Sequence, residues 1–97
     1  MTTPGSTWVL ERESKEWVGE VHVSVDGTEV ADFELAVTDE RSRPTIWQQP
    51  DVLEGKPGIY VGPGTARELD LGVHDVWARV TRPAETPVFK VGSIRVR

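Results

Sequence analysis

The chain has 97 residues, no cysteine and a formal net charge of −5 at pH 7. This length suits one domain, which leaves a large share of its surface in water and has a modest margin of stability. The lack of cysteine excludes disulfide bonds and thiolate metal sites and favours a reducing compartment. The acidic balance argues against a nucleic-acid partner, because nucleic-acid binding normally requires a basic surface.

The amino-terminal residues predict no targeting signal. Residues 1–6 have neither a basic start nor an apolar run, so they predict a flexible lead-in and not a signal peptide. Residues 7–97 are predicted to form a single domain. No apolar stretch approaches the roughly 20 residues that a membrane span needs, so we expect a soluble chain with no membrane partner.

Charge is distributed unevenly along the chain. Residues 1–40 carry ten carboxylates and two basic side chains, a net charge of −8, whereas residues 41–97 carry nine basic side chains and six carboxylates, a net charge of +3. Two unlike faces on one molecule would favour head-to-tail contacts between neighbours. The alternative is that interleaved strands mix the two sets of charges in space.

The first half of the chain predicts short strands. Residues 7–12 are predicted to form the first strand, with Trp8 and Leu10 on one face. Residues 17–25 are predicted to form the second strand. Its alternate valines are expected to point inward, and Gly19 is expected to mark a bulge where the pattern changes face.

Turn signals separate the later strands. Asp26-Gly27 predicts a hairpin turn into residues 28–30, because two-residue hairpin turns of the primed types require positive φ. Further strands are predicted over residues 33–37, 45–47, 58–61, 74–82 and 88–96. Residues 51–57 are predicted to be a loop.

The clearest alternation in the chain follows Gly72. One face carries His74, Val76, Ala78 and Val80, and the other carries Asp75, Trp77, Arg79 and Thr81. This period of two predicts a strand whose valine face points to the core and whose tryptophan points outward. The whole chain predicts about seven short strands and no helix, the pattern of an all-β, immunoglobulin-like β-sandwich.

No constellation of residues points to catalysis. His22 and His74 stand on different predicted strands, and the chain lacks nucleophile-elbow and metalloprotease motifs. Gly62-Pro63-Gly64-Thr65 is similar to a phosphate-binding loop but lacks the required lysine and helix, which favours a turn. The acidic residues at positions 26–32 fit no calcium motif. We expect no enzyme activity, no catalytic residue, no metal and no cofactor.

Four tryptophans are candidates for the core or for a binding surface. We expect Trp8 or Trp17 to fill the core, because tryptophan is costly to leave in water. Trp77 is predicted to point outward beside Arg79, and Trp47 is predicted to be partly exposed. An exposed tryptophan near arginine serves as an anchor for a protein or as a stacking platform for a sugar. The alternative is that Trp77 is covered by the stems of neighbouring long side chains.

Motifs in the second half of the chain carry a resemblance to a known group. They are Tyr60-Val61-Gly62-Pro63-Gly64, Leu69-Asp70-Leu71-Gly72-Val73-His74-Asp75-Val76-Trp77-Ala78-Arg79-Val80-Thr81, Pro87-Val88 and Gly92-Ser93-Ile94-Arg95-Val96. These segments, about 40 of the 97 residues, resemble small immunoglobulin-like proteins from the structural gene cassettes of tailed phages that infect actinobacteria.

His74 stands where immunoglobulin-like sandwiches usually have a tyrosine that ties down the loop before the penultimate strand. It is either a ligand or switch residue or, the favoured interpretation, a strand-entry residue that hydrogen-bonds the preceding corner. The residue before Glu85 also departs from the pattern of the group, with Ala84 in place of proline.

The resemblance implies a virion component that is assembled in the host cytoplasm. We expect a non-enzymatic capsid accessory (decoration) protein that docks in many copies on a repeating capsid or tail lattice. The residues expected to contact the partner are Trp77, Arg79, Trp47, Arg95 and Arg97. The alternatives are a neck, tail or baseplate component, a module that binds carbohydrate or a host-surface polymer through Trp47 and Trp77, and a spacer domain without a ligand.

Overall fold

A computed structural model describes residues 6–97, which form strands and no helix. The strands are β1 (Ser6–Leu10), β2 (Glu16–Gly19), β3 (Ser24–Val25), β4 (Thr28–Glu29), β5 (Glu34–Asp39), β6 (Asp51–Leu53), β7 (Lys56–Val61), β8 (Gly72–Arg79) and β9 (Val88–Val96). The all-β prediction is confirmed. The predicted lead-in lies outside the described residues except for Ser6, which is part of β1.

Residues 6–97 form nine strands, whereas the sequence predicts about seven. The predicted second strand is divided into β2 and β3. The predicted strand at residues 45–47 is wrong, because only Gln48 pairs there, as an isolated bridge to Leu35. The predicted loop at 51–57 is also wrong, because Glu54 and Gly55 both adopt positive φ and join β6 to β7 in a two-residue hairpin.

The strands form two larger sheets and one small hairpin. The four-stranded sheet has the order β1-β9-β8-β5, in which β1 runs parallel to β9 and the other pairs are antiparallel. The three-stranded sheet has the antiparallel order β2-β7-β6, and β3 pairs with β4 through the predicted Asp26-Gly27 turn. The first and last strands are therefore neighbours.

One hydrophobic cluster joins the two larger sheets. Its fully buried members include Leu35, Val76 and Ile94 from the four-stranded sheet and Val18 and Ile59 from the three-stranded sheet. The predicted inward face of β8 is confirmed, since all of its members are buried. Burial of this apolar surface is the main stabilising contribution to the fold.

Of Trp8 and Trp17, the two tryptophans predicted as candidates for the core, Trp8 is the one that packs against it. Its ring packs against the hydrophobic cluster, and its Nε1 donates a hydrogen bond to the Gly19 carbonyl at 3.3 Å. Trp17 lies on the other side of its sheet, with its ring centroid 4.9 Å from that of Tyr60. A Cβ atom on Gly19 or Gly58 would come within 2.5 Å of the Trp17 ring, so these glycines let the indole lie against the sheet.

The face change predicted at Gly19 is present. Val18 is buried, and the next buried positions are Val21, Val23 and Val25, so the alternation shifts by one residue between Val18 and Val21. This shift keeps the apolar side of both segments in the same core.

The acidic and basic halves of the chain interleave in space. Each larger sheet pairs strands from both halves: β1 with β9 in the four-stranded sheet and β2 with β7 in the three-stranded sheet. Three ion pairs join a carboxylate of the first half to an arginine of the second: Glu34–Arg79, Asp26–Arg82 and Glu11–Arg97. The structure therefore favours mixing of the charges over two unlike faces.

Candidate functional site

Most of the residues predicted to contact partners lie on one side of the four-stranded sheet. In β8, His74, Val76 and Ala78 are buried toward the core, so the residues between them lie on the opposite side. Lys90 and Arg95 of β9 belong to that same side. We call this surface the Trp77 face; it comprises Asp75, Trp77, Arg79, Lys90 and Arg95.

Trp77 lies on the predicted face but is covered. Only 8% of the residue is exposed, and its Nε1 donates a hydrogen bond to Thr38 Oγ1 at 2.9 Å. The Lys90 ammonium lies 5.3 Å from a Trp77 ring centroid and the Arg43 guanidinium 6.0 Å from one. Of the two interpretations of Trp77, an exposed anchor or an indole covered by long side chains, the structure favours the second, because the loop after β5 and the neighbouring strand β9 bring long cationic side chains over the indole.

Arg79 and Trp47 are brought together at the edge of this face. The Arg79 guanidinium lies 4.7 Å from the Trp47 ring centroid, a cation–π contact. Arg79 Nη2 and Nε donate to Glu34 Oε1 at 2.7 and 3.1 Å. Trp47 is partly exposed, as predicted, and Arg79 is held by two partners.

Lys90 is a functional candidate that the sequence interpretation missed. Its Nζ lies 3.3 Å from Oδ2 of Asp75, whose side chain is 10% exposed. The pairing register shifts between Val76 and Trp77, so Lys90 lies opposite Trp77. Gly92, the partner of Val76 in the register, is a sequence signal for such an irregularity, because a glycine inside a strand often marks a bulge, but it does not give the resulting alignment of Lys90.

The accessible part of the Trp77 face is basic and apolar. Arg95 is exposed, and Val9, its partner in register on β1, is 49% exposed. Val88 lies beside Arg79 in the register and is 43% exposed. Arg97 lies beyond this face at the end of β9, where its Nε is 3.3 Å from Glu11 Oε1.

His74 ties down the corner before β8, as the sequence predicts. The residue is 4% exposed, and its Nε2 donates a hydrogen bond to the Asp70 carbonyl at 2.8 Å. Its Nδ1 lies 3.4 Å from Asp39 Oδ1. His22, in contrast, is exposed and lies 3.5 Å from both Glu20 and Glu29 carboxylate oxygens.

A cavity of about 340 Å³ opens beside His74, between the loop after β5 and the segment at 66–69. Arg67 lines it, and burial lowers the pKa of the Arg67 guanidinium. The turn at 62–65 sets the position of this arginine: Gly62 N–H donates to the Arg67 carbonyl at 2.7 Å, and Arg67 N–H donates to Thr65 Oγ1 at 3.1 Å. The segment similar to a phosphate-binding loop is therefore a turn.

No protein-family model, curated protein or solved structure matches the chain. Within residues 6–97, no helix is long and apolar enough to cross a membrane. In the same part of the chain, no group of three or more histidine or acidic side chains is arranged to hold a metal ion. Among the described residues, the Trp77 face presents cations held by ion-pair and cation–π contacts beside exposed apolar side chains.

Proposed function

We propose that the chain is an immunoglobulin-like β-sandwich that serves as a non-enzymatic structural protein of a phage virion. The strand orders β5-β8-β9 and β2-β7-β6 match the C-F-G and B-E-D orders of that sandwich, and one cluster joins the two sheets. His74, at the start of the strand that corresponds to F, hydrogen-bonds four residues upstream, where the tyrosine of the family would do so.

The preferred role is that of a capsid accessory (decoration) protein that docks through the Trp77 face. The observation that carries this proposal is that the exposed residues Arg95, Lys90, Val9 and Val88 lie on the same side of one sheet as the covered Trp77. Cations among apolar side chains suit an acidic protein surface with apolar patches, since the charges steer association and the apolar area stabilises the contact. A capsid lattice would repeat that surface many times.

The side chains of the Trp77 face are held in place before any partner binds. Arg79 is fixed by Glu34 and Trp47, and Lys90 by Asp75 and Trp77. Preorganised side chains lose little conformational entropy on binding, which favours association even when each contact is weak. Many weak contacts on one particle then add through avidity.

The carbohydrate alternative requires tryptophan rings with a face free for stacking. Trp77 is only 8% exposed, and the Arg79 guanidinium lies over one face of the Trp47 ring at 4.7 Å. Stacking of a sugar requires a free ring face, so the burial of Trp77 removes one of the two expected platforms and leaves at most one face of Trp47. A neck, tail or baseplate position uses the same kind of contact and is the principal alternative to the capsid.

The test is co-sedimentation of the purified chain with capsids and with tails of tailed phages that infect actinobacteria. We expect stoichiometric retention on capsids, and we expect Arg95→Glu to weaken binding by about tenfold or more. Lys56→Glu is the matched control, because Lys56 is an exposed cation on β7 of the other sheet. It should leave retention unchanged.

The outcomes separate the candidate roles. Retention on tails alone would place the chain in the neck, tail or baseplate. Retention that is equally reduced by both charge reversals would mean that the Trp77 face is not the docking surface. The absence of binding to either particle would overturn the virion proposal, and a glycan array would then test the carbohydrate alternative.

A further inference from the structure

The cavity beside His74 carries an inference that is independent of the docking proposal. Its volume is about 340 Å³, within the range of small-molecule sites. Val37 and Leu69 contribute apolar wall, and Arg43 and Arg67 contribute positive charge. The hydroxyl-bearing residues Thr38, Ser42 and Thr45 also line it. The wall is more polar than apolar, which suits a small charged ligand better than an apolar one.

Arg67 has donors without acceptors. Its Nε and Nη2 are shielded from solvent and have no hydrogen-bond partner among residues 6–97. Two carboxylates, Asp39 and Glu68, line the same cavity, but neither bonds to these nitrogens. A buried donor without an acceptor is costly, and more so when it is charged. The lowered pKa of Arg67 has the same cause, desolvation of the guanidinium.

The two unsatisfied nitrogens form one edge of the guanidinium. Nε–H and the adjacent Nη2–H make a planar fork whose spacing matches the two oxygens of a carboxylate. The chain itself shows this chemistry at Arg79, where the same two nitrogens donate to the Glu34 carboxylate at 3.1 and 2.7 Å. Arg67 presents the same fork without the carboxylate.

We propose that this cavity is a carboxylate-binding site in which the Nε–Nη2 fork of Arg67 receives the anion and Arg43 supplies a second positive charge. The main chain of Arg67 is anchored at both its N–H and its carbonyl by the turn at 62–65, and its fork is shielded from solvent, so the proposed binding includes a rotation of the side chain. The exposed residues at 42–43 and 45–46 form the opposite wall and allow entry.

The carboxylate can belong to a free organic acid or to an acidic side chain of a partner. Arg43 connects the cavity to the Trp77 face, because its guanidinium lies 6.0 Å from a Trp77 ring centroid. A glutamate from a docked partner could therefore reach the cavity from that side. The chemistry of recognition is the same for both sources.

The experiment follows the Nε–H resonances of the arginines in ¹H–¹⁵N spectra while sodium acetate replaces sodium chloride at constant ionic strength. We expect a saturable shift of the Arg67 resonance with a dissociation constant in about the millimolar range, and none with chloride. A capped peptide with one central glutamate distinguishes the sources: much tighter binding than acetate indicates a partner side chain, and equal binding indicates a free carboxylate.

Two variants test the assignment. Arg67→Gln should weaken acetate binding by about tenfold or more, whereas the control Arg12→Gln, at an exposed arginine outside the cavity, should leave it unchanged. If Arg67→Gln does not fold, the thermal midpoint of the natural chain should still rise in acetate relative to chloride, because a ligand that binds the folded state stabilises it.

The proposal is overturned if acetate produces no saturable shift at Arg67, if Arg67→Gln binds as well as the natural chain, or if inorganic phosphate binds much more tightly than acetate. Co-sedimentation with virion particles is a separate readout. A chain that binds acetate and fails to bind particles would keep the carboxylate site and lose the docking proposal.

Discussion

At the scale of single residues, two nitrogen-bearing side chains that line the same cavity, His74 and Arg67, are treated differently by the fold. His74 is nearly buried, its Nε2 donates to the Asp70 carbonyl, and its Nδ1 lies 3.4 Å from Asp39 Oδ1. Arg67, in the same cavity wall, has two donors without acceptors. The first arrangement stabilises the corner before β8, and the second is more consistent with a ligand than with a structural role.

His74→Ala is expected to lower the free energy of unfolding by about 2 kcal/mol, because it removes both buried ring volume and the hydrogen bond to the corner. Urea denaturation followed by tryptophan fluorescence measures this change. The control is His22→Ala at the exposed histidine, which should change stability by less than about 0.5 kcal/mol. Equal effects of the two substitutions would contradict the role assigned to His74.

Trp77→Ala is expected to lower the free energy of unfolding by about 3 kcal/mol or more, because the indole is almost fully covered. Val88→Ala on the same side of the sheet should cost less than about 0.5 kcal/mol, because its side chain is exposed. Thermal and urea unfolding of both variants check this. Loss of docking in Trp77→Ala therefore cannot by itself identify a contact residue, whereas loss in Arg95→Glu can.

At the scale of elements, positive φ values decide where the chain turns. Asp26-Gly27 and Glu54-Gly55 both have two successive positive φ values, and each joins a hairpin. Only the first was predicted, because aspartate before glycine is a strong signal for this turn whereas glutamate is not. The missed turn explains why β6 was predicted as loop.

Gly62→Ala is expected to destabilise the protein by at least about 2 kcal/mol, because the glycine has φ of 107° and an added Cβ would collide with the Ser14 carbonyl oxygen. Gly64 provides the control, since it has φ of 80° but nothing within 4 Å of an added Cβ. Gly64→Ala should cost only about 1 kcal/mol. Urea unfolding of both variants tests the difference, and similar losses would mean that the contact with Ser14 is unimportant.

At the scale of the whole molecule, the two halves of the chain are joined by strand pairing and by ion pairs. The Glu34 and Arg79 side chains are 26% and 31% exposed, whereas those of Glu11 and Arg97 are 62% and 69% exposed. Solvent screens the second pair far more strongly than the first. The interleaving also explains why the acidic and basic halves do not give two opposed faces.

Double-mutant cycles should show this difference directly. We expect a coupling free energy of about 1 kcal/mol between Glu34 and Arg79 and less than about 0.3 kcal/mol between Glu11 and Arg97. Both cycles use alanine variants and urea unfolding at low and at high salt. A larger coupling free energy for the exposed Glu11–Arg97 pair would contradict the conclusion that Glu34 holds Arg79 in place.

The candidate site was predictable in part. The alternation in β8 correctly placed Trp77 and Arg79 on the side away from the core, because a period of two is a local property of a strand. It left open whether Trp77 is exposed or covered by long side chains. That depends on Lys90, which is aligned by a register shift in β9, and on Arg43, which arrives from a loop remote in sequence.

Local patterns were enough to predict the all-β class, the inward valines, the Asp26-Gly27 hairpin and the tie between His74 and its corner. Each depends on alternation, turn chemistry or a contact across a few residues. The folded chain was needed to see which tryptophan enters the core, which strands are neighbours and that Arg67 lines a cavity without an acceptor. These features depend on pairings between distant segments, such as β1 with β9, and on the space left when the loops close around them.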